Sequence, residues 1–128
     1  MDRRSIVYWA VTGLFCLAFV LGGLSHLVRA DFIAEAMTHL GYPAYVMSIL
    51  GVAKLLGVAA LLVPGTPLLK EWAYAGFAFD LLGAIASHVF AGDPVSEMLG
   101  PVILLGVGAG SYLLRPDSRR IAEALRAR

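Results

Sequence analysis

The chain consists of four long apolar runs that are separated by short segments rich in charge. The runs cover about residues 5–28, 45–63, 71–90 and 97–114. A helix needs about 20 predominantly apolar residues to cross the hydrocarbon core of a bilayer, and each run approaches that length. The runs lack the strict apolar–polar alternation of strands in membrane barrels. The pattern therefore predicts an all-α membrane protein, a bundle of four transmembrane helices.

A short additional helix is predicted after the first run. Within residues 31–40 the apolar positions recur at helical spacing, and charged or polar side chains occupy the other side. Asp31 is a suitable N-cap, and Gly41 followed by Pro43 is a suitable stop signal. The segment is expected to be an amphipathic helix on the membrane surface, with an ordered loop as the alternative.

The whole chain, residues 1–128, is expected to form a single membrane domain with an internal repeat. The pattern LGxxxLLGV occurs at residues 50–58 and again at residues 99–107, and a Ser-His pair precedes each copy. Matches in the same order predict a tandem repeat of two helical hairpins. Chance similarity among common apolar residues is the alternative. Ile103 occupies the place of Lys54 in the second copy, so the lysine is not needed to build the hairpin.

Composition agrees with a membrane location, because 59% of the residues are apolar and only 15% are charged. Arginine is concentrated before the first run and in the tail, residues 115–128, and Lys70 lies between the second and third runs. The positive-inside rule then predicts that both termini are cytoplasmic, in a cell (inner) membrane. The tail is expected to be a basic helix on the inner leaflet or a solvated segment. A single cysteine, Cys16, excludes a disulfide within the chain and redox chemistry by a cysteine pair.

Two opposite charges lie inside the apolar runs. Lys54 and Asp80 are each thirteen positions from Pro67, at the turn between the second and third runs, so a tight hairpin brings them to the same depth. Each charge alone would cost roughly 2.5–3.5 kcal/mol at the centre of a spanning helix. The two residues are therefore predicted to pair. The pair is either a lock between two helices or the polar floor of a ligand or proton site, and the remaining alternative is that the two residues do not pair.

Further polar side chains are expected near the outer end of the bundle. Asp80, Ser87 and His88 share one face of the third run. His26 ends the first run and Glu97 opens the fourth, so two histidines and a carboxylate are predicted to meet there. In the alternative interpretation the Ser-His pairs only cap helix ends. A b-type haem between the two histidines is disfavoured, and no metal site is expected.

Four segments carry a resemblance to a known family: GYPAY at 41–45, LGVAKLLG at 50–57, LKEWAYAGF at 69–77 and GAIASH at 83–88. Over about residues 5–114 the chain resembles the DoxX-like family of small four-helix membrane proteins. The matching positions are Lys54, Trp72, Ser87 and His88. The resemblance implies the four-helix fold. It also implies roles such as those of the family's namesake, a subunit of a thiosulfate:quinone oxidoreductase, and of related redox accessory proteins and a receptor-assembly chaperone.

The leading functional hypothesis is a ligand-binding or redox-accessory membrane protein rather than a stand-alone enzyme. Its ligand would be a quinone or another small apolar molecule with a polar head, and no catalytic residue is assigned. The predicted ligand-binding residues are Lys54, Asp80, Ser87, His88, His26 and Glu97. The alternatives are an assembly factor or subunit that packs against a partner protein, and a small proton-coupled transporter. Lipids, a membrane protein or further copies of the chain are the expected partners, and nucleic acid is not.

Overall fold

The computed structural model describes residues 1–126 and contains helices and turns within that range. The predicted tail extends two residues further, and residues 127–128 lie outside the described part. The helices are α1 (Arg3–Leu27), α2 (Asp31–Leu40), α3 (Tyr45–Leu62), α4 (Pro67–Phe90), α5 (Leu99–Leu113) and α6 (Ile121–Arg126). Short 3-10 helices cover Val95–Met98 before α5 and Asp117–Arg119 before α6.

Four of these segments are long and apolar enough to cross a membrane, namely α1, α3, α4 and the stretch Val95–Leu114 that contains α5. The predicted all-α bundle of four spanning helices is therefore confirmed. α4 begins four residues before the predicted third run, at Pro67. Proline fits the first turn of a helix because the N–H it lacks would have no partner there.

Local signals at the helix ends explain most of the boundaries. The Asp2 carboxylate accepts a hydrogen bond of 2.9 Å from the Ser5 backbone N–H and caps α1. α2 ends at Gly41, whose φ of 86° suits glycine, as predicted. The predicted N-cap of α2 was wrong, because Ala30 holds that position and Asp31 is already the first helical residue. Asp31 there still faces the positive end of the helix dipole.

The four spanning helices form a ring in which α1 packs against α3 and α5, and α4 packs against the same two helices. α1 and α4 therefore lie diagonally across the bundle. We call the end at which α1 begins and α5 ends the terminal end. We call the opposite end, which carries α2, the α2 end.

An aromatic cluster fills the middle of the bundle between these two ends. Phe19 and Phe77 have ring centroids 4.2 Å apart, and Phe15 packs edge-on against both. Leu61 and Leu81 complete this part of the core. Because the cluster joins residues of α1, α3 and α4, it holds the three helices in register.

The two predicted hairpin repeats differ in how their matching glycines pack. A Cβ added at Gly51 would lie 2.9 Å from the Gly23 carbonyl oxygen and 2.7 Å from Leu27 Cγ, so α1 and α3 approach closely only because both positions are glycine. A Cβ added at Gly100, the counterpart in α5, would meet no described atom within 4 Å. The repeat stays a prediction, and the packing around it is asymmetric.

Candidate functional site

Lys54 and Asp80 face each other at the boundary between α3 and α4. Lys54 Nζ lies 3.9 Å from Asp80 Oδ2, and the two side chains are 14% and 22% exposed. The predicted proximity of the two charges is thus observed. At this distance the charges attract each other without a direct hydrogen bond. Among residues 1–126 neither charged group has a hydrogen-bond partner.

The ammonium group has space on the α1 side because a small residue lies there. A Cβ added at Gly22 would be only 3.7 Å from Lys54 Nζ, so a longer side chain would displace the lysine. The ammonium also lies 5.7 Å from the centroid of the Phe19 ring, a cation–π distance. α1 therefore positions the lysine with an aromatic face and a gap rather than with a second charge.

A cavity of about 780 Å³ extends from this pair toward the α2 end. Lys54 and Asp80 form its floor, and His26 of α1 lies in its wall. The apolar side of α2, including Ile33 and the buried Met37, covers it. The predicted amphipathic helix therefore closes a cavity with the face that sequence periodicity assigned to apolar contacts.

One ring nitrogen of His26, which lines the cavity, has no hydrogen-bond partner among residues 1–126. Its Nδ1 lies 2.7 Å from the carbonyl oxygen of Gly22, one helical turn earlier. A carbonyl oxygen can only accept, so Nδ1 carries the proton and Nε2 of the neutral ring is an acceptor. His26 thus satisfies part of the capping interpretation and still lines the cavity.

Ser87 lies at the rim of the cavity together with Tyr42. The Ser87 hydroxyl donates to the Gly83 carbonyl oxygen at 2.7 Å, so it accepts from the Tyr42 hydroxyl at 2.5 Å. This contact connects α4 to the segment between α2 and α3. It fixes one edge of the cavity opening and leaves few free hydroxyl donors there.

The predicted meeting of His26, His88 and Glu97 was wrong. Two histidines and a carboxylate do meet at the α2 end, but they are His39 of α2, His88 and Asp93. His88 Nδ1 and His39 Nε2 each lie 2.7 Å from a different carboxylate oxygen of Asp93.

The turn after α4 explains this difference. Gly92 adopts a φ of 74°, which folds the chain back and brings Asp93 beside His88. Glu97 follows in the 3-10 helix before α5, where its side chain is exposed. His88 therefore turns away from the cavity although Asp80 and Ser87, on the same helix, line it.

Asp93 lies outside the spanning segments and carries a perturbed carboxyl group. The hydrogen bond from His88 lowers the pKa of Asp93, and the hydrogen bond from His39 lowers it further. Because His39 belongs to α2, the carboxylate holds the covering helix to the α4–α5 connection. Within residues 1–126 no group of three or more histidine, cysteine or acidic side chains has a geometry that could hold a metal ion.

A second polar cluster, at the terminal end, was not predicted. Arg115 is 8% exposed and pairs with Glu71 at 2.5 Å, and the Tyr112 hydroxyl donates to the other carboxylate oxygen at 2.8 Å. The guanidinium also stacks 3.7 Å from the centroid of the Tyr112 ring. Tyr112 lies in the last turn of α5 and Arg115 follows just after the helix ends, and this spacing of three positions is the signal that could have indicated the contact.

Buried hydroxyls and a buried lysine extend this terminal cluster. Ser111 lies 2.6 Å from the Thr12 hydroxyl and 2.7 Å from the Tyr74 hydroxyl, and Thr12 and Ser111 are fully buried. Lys70, assigned from sequence to topology alone, is 1% exposed and donates to the carbonyl oxygens of Val63 and Gly65. It therefore caps the carboxyl end of α3.

The fold and the four apolar spans define a multi-pass integral membrane protein whose spanning helices contact lipid. The chain belongs to the DoxX-like family, because the model of that family matches residues 10–111. The match covers the second and third spans completely and most of the first and fourth. It includes Lys54, Asp80, Ser87 and His88. No match was found among curated proteins or solved structures.

Proposed function

We propose that this protein binds a small apolar molecule with a polar head group, quinone-like or lipid-like, in the cavity at the α2 end. The observation that supports this most strongly is the Lys54–Asp80 pair, whose charged atoms border the cavity 3.9 Å apart. An ammonium has three donors and a carboxylate has about four acceptor sites, and no described side chain uses them. A ligand head group in the cavity beside the pair would form hydrogen bonds with both.

Each polar residue of the cavity has a separate role in this proposal. Lys54 donates to an oxygen of the head group, and Asp80 accepts from a hydroxyl or amide. His26 offers Nε2 as a further acceptor, and Ser87 fixes the rim through Tyr42. His88 acts indirectly, because its contact with Asp93 holds α2 over the cavity. Glu97, exposed before α5, is not part of the proposed site.

Energetics also favour a ligand at the pair. A buried ion pair is often no more stable than two apolar residues of similar volume. The corresponding position of the second hairpin is Ile103, an apolar residue that is exposed on α5. Recognition of a polar head group therefore accounts for a lysine at position 54 better than helix packing does. In this proposal the protein is a ligand-binding or redox-accessory component rather than a stand-alone enzyme.

The proposal includes an orientation in the cell (inner) membrane with both termini in the cytoplasm. Arg4 and Arg115 lie at the terminal end, and Arg119 and Arg120 follow immediately, as the positive-inside rule expects. The cavity would then open on the outer side. A reporter that is active only outside the cytoplasm, fused after Arg128, should stay silent. Activity of that fusion would contradict the orientation.

A thermal-shift comparison tests the ligand role of Lys54. Decyl-ubiquinone and monolaurin, two apolar chains with different polar heads, are added to wild type, Lys54→Met and Ile103→Met in detergent. Ile103→Met is the control, because it introduces the same side chain at the matching position of the other predicted hairpin. At least one probe should raise the melting temperature of wild type and the control but not of Lys54→Met. Equal shifts in all three proteins would contradict the proposed site. A second protein that co-purifies in stoichiometric amount would instead favour the alternative of a subunit that packs against a partner.

A further inference from the structure

A groove on the lipid-facing side of the bundle lies between α3 and α4. Its volume is about 510 Å³, and its lining comes from these two helices alone. Trp72 and Leu56 border it and are 65% and 66% exposed, so the groove faces the hydrocarbon of the bilayer. Small residues on both helices create it, among them Ala53, Ala73 and Gly76.

This groove and the internal cavity share part of their lining. Leu50, Lys54, Phe79 and Asp80 border both spaces. The ion pair therefore lies at the junction between the interior of the bundle and the bilayer. A molecule whose polar group contacts Lys54 and Asp80 from the cavity can extend an apolar chain into the groove.

The direction of the groove follows from the helix positions that line it. It runs from the pair toward the terminal end, where Leu69 and Trp72 border it. Leu69 precedes Asp80 by eleven residues, which corresponds to about 16 Å along a helix. Another groove, of about 430 Å³ between α4 and α5, contains neither Lys54 nor Asp80 in its lining. Of these two lipid-facing grooves, only the α3–α4 groove is continuous with the pair, so it has space for one apolar tail of the ligand rather than two.

We infer that the ligand is a single-chain amphiphile with a neutral polar head, which binds from within the bilayer with its head at Lys54 and Asp80 and its tail in the α3–α4 groove. The inference rests on the proposed function and adds the ligand's class and its route. The head is neutral because the two charges of the floor balance each other. An anionic head would be attracted by Lys54 and repelled by Asp80 at similar distance. Hydroxyl, amide and carbonyl heads avoid this repulsion.

Three glycines allow a matched test of the groove, the cavity and an unrelated surface. A Cβ added at Gly76, Gly83 or Gly106 meets no described atom within 4 Å, so leucine can be introduced at each without a clash at Cβ. Gly76 lines the groove and Gly83 lines the cavity. Gly106 lies on the exposed side of α5 and is the control.

Binding of decyl-ubiquinone, of its head group without the chain, of monolaurin and of laurate is measured on wild type, the three glycine variants and Lys54→Met. Gly76→Leu should weaken binding of a chain-bearing neutral probe by roughly tenfold relative to Gly106→Leu, because the leucine occupies the space of the tail. The chain-free head group should bind both variants equally. Gly83→Leu should weaken binding of probes with and without a chain. Laurate should bind wild type at least about tenfold more weakly than monolaurin.

The outcomes separate the two claims. If Gly83→Leu removes binding but Gly76→Leu behaves like Gly106→Leu, the tail position is overturned and the cavity site stands. If laurate binds as tightly as monolaurin, the neutral-head requirement is overturned. If Gly83→Leu and Lys54→Met both bind the probes as wild type does, or no probe binds wild type, the proposed function fails and this inference fails with it.

Discussion

At the terminal end, Arg115, Glu71 and Tyr112 are joined by direct hydrogen bonds of 2.5 and 2.8 Å. Near the middle of the bundle, Lys54 and Asp80 are 3.9 Å apart and border a cavity of about 780 Å³ that extends toward the α2 end. Both pairs join opposite charges across helices of the same bundle. One pair uses its hydrogen-bonding groups within the protein, whereas the charged atoms of the other have no hydrogen-bond partner among residues 1–126.

The difference shows that two ion pairs in one bundle can have very different local contacts, and from these contacts we infer that one serves packing and the other ligand recognition. The terminal pair is surrounded by further satisfied groups, such as Thr12 and Ser111, and adds to the stability of the fold. The central Lys54–Asp80 pair lies next to small residues that leave space, such as Gly22 and Gly83. We therefore expect substitutions in the terminal cluster to affect mainly stability, and substitutions at the central pair and its cavity to affect mainly binding.

The largest effect should come from breaking the terminal ion pair. Glu71→Gln removes the charge that compensates Arg115, and loss of one partner of a buried pair typically destabilises a protein by about 3–5 kcal/mol. Glu71 is 26% exposed, so its charge is only partly shielded from water. We therefore expect a loss at the low end of this range, about 3 kcal/mol in the free energy of unfolding in detergent. Glu123→Gln, in an exposed pair with Arg126, is the control and should change little. Equal effects of the two substitutions would contradict a special contribution of the Arg115–Glu71 pair to stability.

The next effect compares two serines, one at each end. Ser111→Ala leaves the buried hydroxyls of Thr12 and Tyr74 without their shared partner, which should cost about 1–3 kcal/mol of unfolding free energy. Ser87→Ala removes a partner from the more exposed Tyr42, which water can replace, and should cost less than about 1 kcal/mol. Equilibrium unfolding of both variants under the same conditions measures the difference. A larger loss for Ser87→Ala would reverse the comparison.

A smaller effect is expected at the central pair. Lys54→Met and Asp80→Asn should each destabilise the protein by about 1–2 kcal/mol, less than Glu71→Gln, because the charges are separated and border a cavity. The double variant should recover part of the loss, since it contains no unpaired charge. A double-mutant cycle of unfolding free energies gives the coupling. Strictly additive losses would mean that the two residues do not interact.

The smallest effect concerns the contact that holds α2. Hydrogen bonds from His88 and His39 lower the pKa of Asp93, so the folded protein favours the charged carboxylate over the protonated acid. Its contribution to stability is complete above the usual carboxyl value of 3.8 and is lost as the pH falls toward the lowered value. Asp93→Asn should therefore lower the melting temperature at neutral pH, and the difference from wild type should shrink below pH 3.8. Asp117→Asn is the control, and a difference that is constant with pH would contradict this account.

The sequence predicted the parts of the molecule that depend on local pattern. Apolar runs indicated the spans, helical spacing indicated α2, and equal distances from Pro67 brought Lys54 to Asp80. The pattern did not indicate that Thr12 meets Ser111, because that contact depends on which helices become neighbours. It also misassigned His88, because the turn at Gly92 decides which carboxylate the imidazole meets.

Native mass spectrometry of the purified protein tests the central claim, that the cavity above Lys54 and Asp80 holds a ligand. Wild type, Gly83→Leu and Gly106→Leu are extracted from the same membrane in the same mild detergent. We predict one bound neutral amphiphile on wild type and on Gly106→Leu, and its loss from Gly83→Leu, in which the leucine fills the cavity. A bound molecule that all three proteins retain equally, or wild type that carries none, would contradict the account.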